Sequence, residues 1–306
     1  MMTCQSPRKV MLVAHHLARV VLPAYSTKFS RHDFTLPQLF ACLVVREHQK
    51  KSYRGVEALL RDAPHWCKRI GMNRVPDHNT LCRAFHLIVS ERGMNRMLDL
   101  LARWFKTTQL LGSVMGIDST LYDTHHRSRH YEQRCRHHSS MDVAIVSARR
   151  SASARRTPKL ALGADVCSHV VLSAQARLGM GSDCRDFEPL LREACRRHKV
   201  RTVLADAGYD SDANHRLAQR QLRVQSLIKT GAGRPTRRLP TSIYRRRMQR
   251  LLSGSQAGRT YGQRAQVETV HSMMKRNLGD SLRAHTAEAR RMEQLLRVIT
   301  HNVMLP

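Results

Sequence analysis

The period of the apolar positions changes once along this chain. Up to about residue 106 they recur at the three- and four-residue spacing of amphipathic helices. Leu36 to Val45 is an apolar run opened by Thr35 and Pro37, with proline in the first turn, where its missing N–H costs nothing. Ser52 to Leu60 begins on a capping residue and continues with Val56, Leu59 and Leu60. Pro76-Asp-His-Asn-Thr80 predicts a turn, after which Leu81, Phe85, Ile88 and Val89 share one face. Residues 1–106 are therefore expected to form a helical N-terminal domain.

From Ser113 the pattern becomes that of alternating strands and helices. Ser113 to Asp118 predicts a short strand ending in an acid. Lys159 to Val166 and His169 to Arg177 predict two strands separated by a Cys-Ser turn. Asp186 to His198 reads as a helix with Phe187, Leu190, Leu191 and Ala194 on one side, and Val200 to Asp206 as a buried strand, again ending in an acid. A helix over Ser211 to Arg220 and a strand over Arg223 to Ile228 follow. Arg234 to Arg250 is very basic and without strand periodicity, and two helices close the chain, about Gly262 to Leu278 and Thr286 to Val303. Three strands, then helix, strand, helix, strand, helix is the order of a ribonuclease-H-like α/β fold: an antiparallel meander extended by parallel strands through helical crossovers. Residues 107–306 are expected to form that domain, a mixed sheet with flanking helices.

Composition changes the picture through charge. Hydrophobic residues make up 42%, enough for a core, but 53 Lys and Arg stand against 23 Asp and Glu, a formal +30. Such an excess repels itself unless a polyanion offsets it, and arginine, the commoner cation here, grips phosphate with a planar fork. A GC-rich genome explains the ratio of Arg to Lys but not the excess. Nucleic acid is the expected partner, and the N-terminal helices suit DNA binding or dimerisation. The eight cysteines contain no CxxC pair and there is no signal-like apolar stretch, so reduced thiols in the cytoplasm are expected. The stretch His125 to His138 reads as a basic loop facing DNA better than as a zinc site, because arginines interleave its histidines. Gly231-Ala-Gly233-Arg-Pro lacks the Lys-Ser/Thr ending of a phosphate loop, so ATP use is not expected.

Scarce acids make their positions informative. Asp118 and Asp206 each end a predicted strand among apolar neighbours, where an unpaired carboxylate is too costly to keep. A hard divalent cation is a natural partner, and Mg²⁺ takes a few carboxylate oxygens together with water and substrate phosphate. The third acid, Glu268, lies in a predicted helix where Tyr261, Glu268 and Lys275 form one stripe, with Arg264 one turn before Glu268. Val267, Val270 and Met274 fall on the faces that can pack on the sheet. Alone, such a stripe is an ordinary solvated face with an Arg–Glu pair worth a few tenths of a kcal/mol. Beside two acid-ending strands it completes a candidate site for two divalent ions, Mg²⁺ with Mn²⁺ able to substitute, about 4 Å apart and suited to in-line attack on a phosphodiester.

These blocks resemble the bacterial insertion-sequence transposases of the DDE superfamily, in the broad group of insertion-sequence families four and five. Met115-Gly-Ile-Asp118-Ser-Thr resembles the first-acid block, and Asp206-Ala-Gly-Tyr209-Asp210-Ser the second. Tyr261, Arg264, Glu268 and Lys275 match the Y-x2-R-x3-E-x6-K signature in full, and Gly181-Ser-Asp183-Cys-Arg-Asp186 stands loosely where the family has G-N-x-x-D-S. Ser52-Tyr53-Arg54-Gly-Val-Glu57 and Val75-Pro76-Asp77-His78-Asn79-Thr80 resemble two N-terminal blocks of the same family, so the likeness runs from about Phe34 to Val303. The resemblance implies a transposase that binds terminal inverted repeats, cleaves DNA with a divalent metal and transfers strands. It implies metal ligation by Asp118, Asp206 and Glu268, and contacts to end DNA from Tyr261, Arg264 and Lys275. Asp210 and Asp123 are read as structural. Holding two ends together implies a homodimer, working in the bacterial cytoplasm at the nucleoid. The roughly sixty residues between Asp206 and Glu268 leave no room for the large β-insertion of relatives that form hairpin intermediates. The competing readings are a ribonuclease-H-like nuclease without strand transfer and an inactive or domesticated sequence-specific DNA-binding protein.

Overall fold

A computed structural model describes residues 3–125, 157–179, 181–230 and 242–305. The His-rich stretch after His125, the Gly231 to Pro235 turn and the first part of the basic segment lie outside the described residues.

Six helices open the chain, most of them started by a residue whose side chain accepts a hydrogen bond from an orphan amide. Helix α1 (Pro7–Val21) is capped by Ser6 and buries Val10, Met11, Ala14, Leu17 and Ala18. Helix α2 (Leu36–His48) starts in a reciprocal box between Thr35 and Gln38 and is buried almost all round, which makes it the centre of this region. Helix α3 (Tyr53–Asp62) is capped by Ser52 and is followed by the short α4 (Pro64–Arg69). The expected turn at Pro76 to Thr80 is instead the start of a helix. Asp77 accepts from the Thr80 amide at 2.7 Å, and α5 (His78–Ile88) begins directly after it. Glu57 of α3 accepts from both the backbone amide and Nδ1 of His78, at 2.8 and 2.9 Å, and so ties the two N-terminal sequence blocks together. Helix α6 (Glu91–Thr107), capped by Ser90, leads to the sheet.

The sheet contains β1 (Val114–Leu121), β3 (Pro158–Asp165), β4 (Val171–Leu178), β5 (Thr202–Ala205) and β6 (Gln225–Ile228), in the order β4-β3-β1-β5-β6. β3 is antiparallel to both β1 and β4, whereas β5 is parallel to both β1 and β6. That is the expected ribonuclease-H-like arrangement. Helix α7 (Cys184–Arg197) crosses from β4 to β5; α8 (Asp212–Arg216), widened at its end into a π turn over Leu217–Gln221, crosses from β5 to β6. A second small pairing joins β2 (Asp123–Thr124) in parallel to β7 (Ser281–Leu282).

Two further expectations are corrected. β1 does not stop at Asp118, because β3 offers a partner as far as Leu121; only the pairing with β5 ends at Ile117↔Ala205. The helix expected from about Gly262 is two helices, α10 (Ser255–Gly262) and α11 (Ala265–Leu278). Between them the amides of Gln263 and Arg264 fold back on the carbonyls of Thr260 and Tyr261, a tight turn placed just after a glycine that weakens helix continuity. Within the basic segment, Ile243–Leu252 forms helix α9, capped by Ser242. Between Asp206 and Glu268, β6 is the only strand among the described residues.

Helix α12 (Ala287–Met304), capped by Thr286, closes the fold, and residues 292–304 of it are buried without interruption. It touches β4 as well as α1, α2 and α6, so one continuous apolar cluster runs from Val10 to Leu305 and serves helices and sheet alike. Arg297 is fully buried there, 3.1 Å from Glu47 and 2.8 Å from Glu293, and donates to the carbonyls of Gly279 and Ser281. Among the described residues no helix is long and apolar enough to cross a membrane.

Candidate active site

The site forms where β1 and β5 part. Asp118 is the first residue of β1 beyond its pairing with β5, and Asp206 is the first residue after β5. Parallel in-register pairing thus sets the two acids side by side at the carboxyl edge of the sheet, where α/β folds collect ligands. The Asp118 side chain is 18% exposed. Burial pushes its pKa up to about 6, and the charges of Asp206 and Glu268 push in the same direction while Arg264 opposes them. Asp206 caps a 3₁₀ turn over Ala207–Tyr209 by accepting from the Gly208 amide at 2.8 Å. Gly208 must be small, since a Cβ there would lie 3.0 Å from Asp183 Oδ2 and 3.1 Å from Asp206 Oδ1. Tyr209 is buried against Phe187, with ring centroids 6.3 Å apart, and anchors the turn to α7.

The loosely matching segment at Gly181 to Asp186 does its work here. Asp183 accepts from Ser119 Oγ at 2.7 Å and lies 2.5 Å from Lys159 Nζ. Lys159 also reaches Asp186 at 3.6 Å, and Arg177 meets Asp186 at 2.7 Å. Asp183 therefore joins the first-acid strand, β3 and the second-acid turn. Asp210 pairs with Arg245 of α9 at 2.9 Å and lies 3.5 Å from His215, which binds the basic helix to the sheet edge.

Helix α11 carries Glu268 and lies directly on β1. A Cβ on Gly116 would sit 2.1 Å from Val267 Cγ2, so glycine at 116 is what lets the helix approach. Glu268 is paired with Arg264, one turn before it, and its side chain is 54% exposed. One turn after it, buried His271 places Nε2 3.9 Å from Asp118 Oδ2. Burial pulls the His271 pKa down to about 4, so this imidazole is neutral at neutral pH. Sequence reasoning missed His271; its signal was its spacing of three from Glu268 on one helix.

The four residues of the helical signature divide. Tyr261 is on α10, not on the helix of Glu268. Its hydroxyl donates to the carbonyl of Ala205, the residue before Asp206, at 3.3 Å, and its ring joins a small cluster with Val166, Leu204, Leu227 and Met248. Arg264 stands at the position just before α11, without a capping side-chain hydrogen bond, and meets Glu268. Lys275, two turns on, holds its ammonium 5.4 Å from the ring of Tyr122, to which Arg297 also comes within 5.6 Å.

Asp118 feels the charges of Asp206 and Glu268, but the three do not close into a cage: among the described residues no three or more His, Cys, Asp or Glu side chains stand in metal-holding geometry. The donor set fits a divalent cation nonetheless. Two carboxylates stand at neighbouring strand ends, one of them largely buried with its ionised form disfavoured, and a cation would relieve that cost. Glu268, paired with Arg264, would have to exchange that partner for an ion in order to join them.

Sheet order and acid placement define a ribonuclease-H-like domain. Residues 110–303 match the family described as Transposase DDE domain, and the chain belongs to that family. No curated protein matches it. Among solved structures, the Mos1 strand transfer complex is similar at 11% identity and a TM-score of 0.26, covering 93% of this chain and 99% of the other. The Mos1 transposase paired-end complex with left transposon end overlaps at 10% identity and 0.24, covering 89% and 97%. At such scores the likeness carries no argument; the fold rests on the sheet order and the family on the match over 110–303.

Proposed function

We propose that the protein is a DNA transposase that binds the terminal inverted repeats of its element, cleaves a phosphodiester at each end and joins the freed end to target DNA. The observation that carries this reading is the placement of Asp118 and Asp206 at the parting of β1 and β5, with Glu268 on the helix above, in a chain of the transposase DDE family.

Asp118, Asp206 and Glu268 would hold two Mg²⁺ or Mn²⁺ ions. Such ions, when bound, activate water or a 3′-hydroxyl and neutralise the leaving oxygen. The chain's own residues do the rest. Asp118 must ionise to act, and neutral His271 beside it adds no competing positive charge. Asp183 and Lys159 hold the two acid-bearing segments in register. Arg264, once released from Glu268, is placed to hold a phosphate, and Tyr261 and Lys275 would contact end DNA on either side of it. The N-terminal helices up to residue 106 would bind DNA or join two copies of the chain, because two ends must be held together, and a +30 protein belongs with the nucleoid of a bacterial cytoplasm.

The test is incubation with labelled duplexes that carry the sequences flanking the gene, with Mg²⁺ or with EDTA. Metal-dependent release of a strand and a joined product support the proposal. Release without joining makes the protein a nuclease, and tight binding without release makes it an inactive DNA-binding protein.

A further inference from the structure

A cleft of 570 Å³ lies between the N-terminal helices and the start of α12, away from the three acids. Its walls are apolar, from Tyr53 at the start of α3, Cys82 and Phe85 of α5, and Ala284 and Ala289. Around them stand Arg46, Arg283, His86, His125 and His285, and the capping Thr286 of the 18-residue α12, whose N-terminus carries a partial positive charge. The one acid in the lining, Glu293, is already neutralised: it accepts from the amides of Arg283 and Ala284 and pairs with Arg297.

We propose that this cleft binds one unpaired nucleotide of a DNA strand, an inference that rests on the DNA reading above. An apolar slot lined by two guanidiniums, of Arg46 and Arg283, is the chemistry of a base with its phosphate, and the volume is that of a small-ligand pocket. A stacked duplex cannot insert a base face into it; a nucleotide lifted out of the stack can. Arg46 is the buried guanidinium of the lining. It is 4% exposed, its guanidinium lies 4.1 Å from the Tyr53 ring, and its Nε has no hydrogen-bond partner although the same side chain pairs with Glu47. A buried donor left unmet in the lining of the cleft is what an arriving phosphate or base oxygen satisfies.

The cleft is also within reach of the acids. His125 is seven residues past Asp118 along β1 and β2, at most about 23 Å of extended chain, or roughly seven phosphates of one strand. A strand lying on the candidate site can therefore deliver a nucleotide up to roughly seven positions away into the cleft.

The experiment needs no metal. In EDTA, an oligo(dT) carrying 4-thiothymidine is photo-crosslinked to the full chain and the attachment mapped, and its affinity is compared with that of a duplex of equal length. The expected crosslinks fall on the peptides of Tyr53 and of Cys82 to His86. Tyr53→Leu is expected to weaken oligo(dT) binding about tenfold, the effect of one lost stacking platform, and to change duplex binding less than about twofold. Tyr53→Phe, which keeps the ring, is expected to bind as the parent does. Crosslinks confined to other peptides, equal losses for both DNA forms, or no loss in Tyr53→Leu would each overturn the proposal. A parent protein that binds neither form would refute the DNA reading itself.

Discussion

Val267 of α11 lies against the backbone of Gly116 so closely that a Cβ at 116 would come within 2.1 Å of its Cγ2. Gly116 is two residues before Asp118, and Val267 precedes Glu268, so this one contact sets the height of the third acid above the first. Gly116→Ala is expected to destabilise the protein by about 1–3 kcal/mol, the usual cost of overpacking, and to reduce cleavage more than the stability loss explains. Val267→Ala in the same chain is expected to restore most of the stability, because it removes the atom in conflict. Urea denaturation of the four members of the cycle measures the coupling. Additive effects would show that the contact does not set the helix position.

Arg297 joins the first and last parts of the chain. Its partners Glu47 and Glu293 are as buried as it is, so removing the guanidinium leaves charges with no water to receive them. Arg297→Ala is expected to cost about 3–5 kcal/mol of folding stability, enough to lower the soluble yield. Calorimetry measures the loss, and a change below about 1 kcal/mol would mean that water reaches the site.

The pH response of the site follows from Asp118. Its pKa in the fold, about 6, lies above the 3.8 of an unperturbed aspartate because burial, and then Asp206 and Glu268, disfavour the ionised form. The folded state therefore holds the proton more tightly than the unfolded state. Asp118 contributes stability that is fully present below about pH 4 and is lost as pH rises through about 6. A divalent cation held there would favour the ionised form and reverse that loss. The rise in Tm caused by Mg²⁺ or Mn²⁺ is expected to be absent at pH 4 and to grow between pH 5 and 7. In Asp118→Asn that growth is expected to flatten. A metal-induced Tm shift independent of pH would place the ion elsewhere.

Much of this arrangement was legible in the sequence. Strand order could be read because β3 and β5 are apolar runs bounded by turn residues, and the acids stood out because a +30 chain has few of them. What could not be read depended on partners distant in the chain. β1 runs past Asp118 only because β3 pairs with Ser119 to Leu121, and the apolar pattern of β1 alone stops earlier. The break at Gln263 was hidden because a seven-residue stripe from Tyr261 to Lys275 fits one long helix equally well, whereas Tyr261 is drawn away to the carbonyl of Ala205. Asp183 carried no sign of its hold on Ser119 and Lys159, which are respectively 64 and 24 residues earlier in the chain and meet it only through the β1–β3–β4 meander.

Whether Asp118 and Asp206 hold the metal for DNA cleavage is tested by comparing strand release by the parent chain with that of Asp118→Asn and Asp206→Asn. All three are to be matched for binding to the same labelled end duplex, in Mg²⁺ and in Mn²⁺. Each substitution removes a charge from the ion's ligand set but keeps the side-chain shape. Each is expected to lower the cleavage rate by at least about a hundredfold, the scale of losing one preorganised electrostatic contact, with DNA affinity changed less than about threefold. Cleavage that persists at the parent rate in either variant would contradict the site.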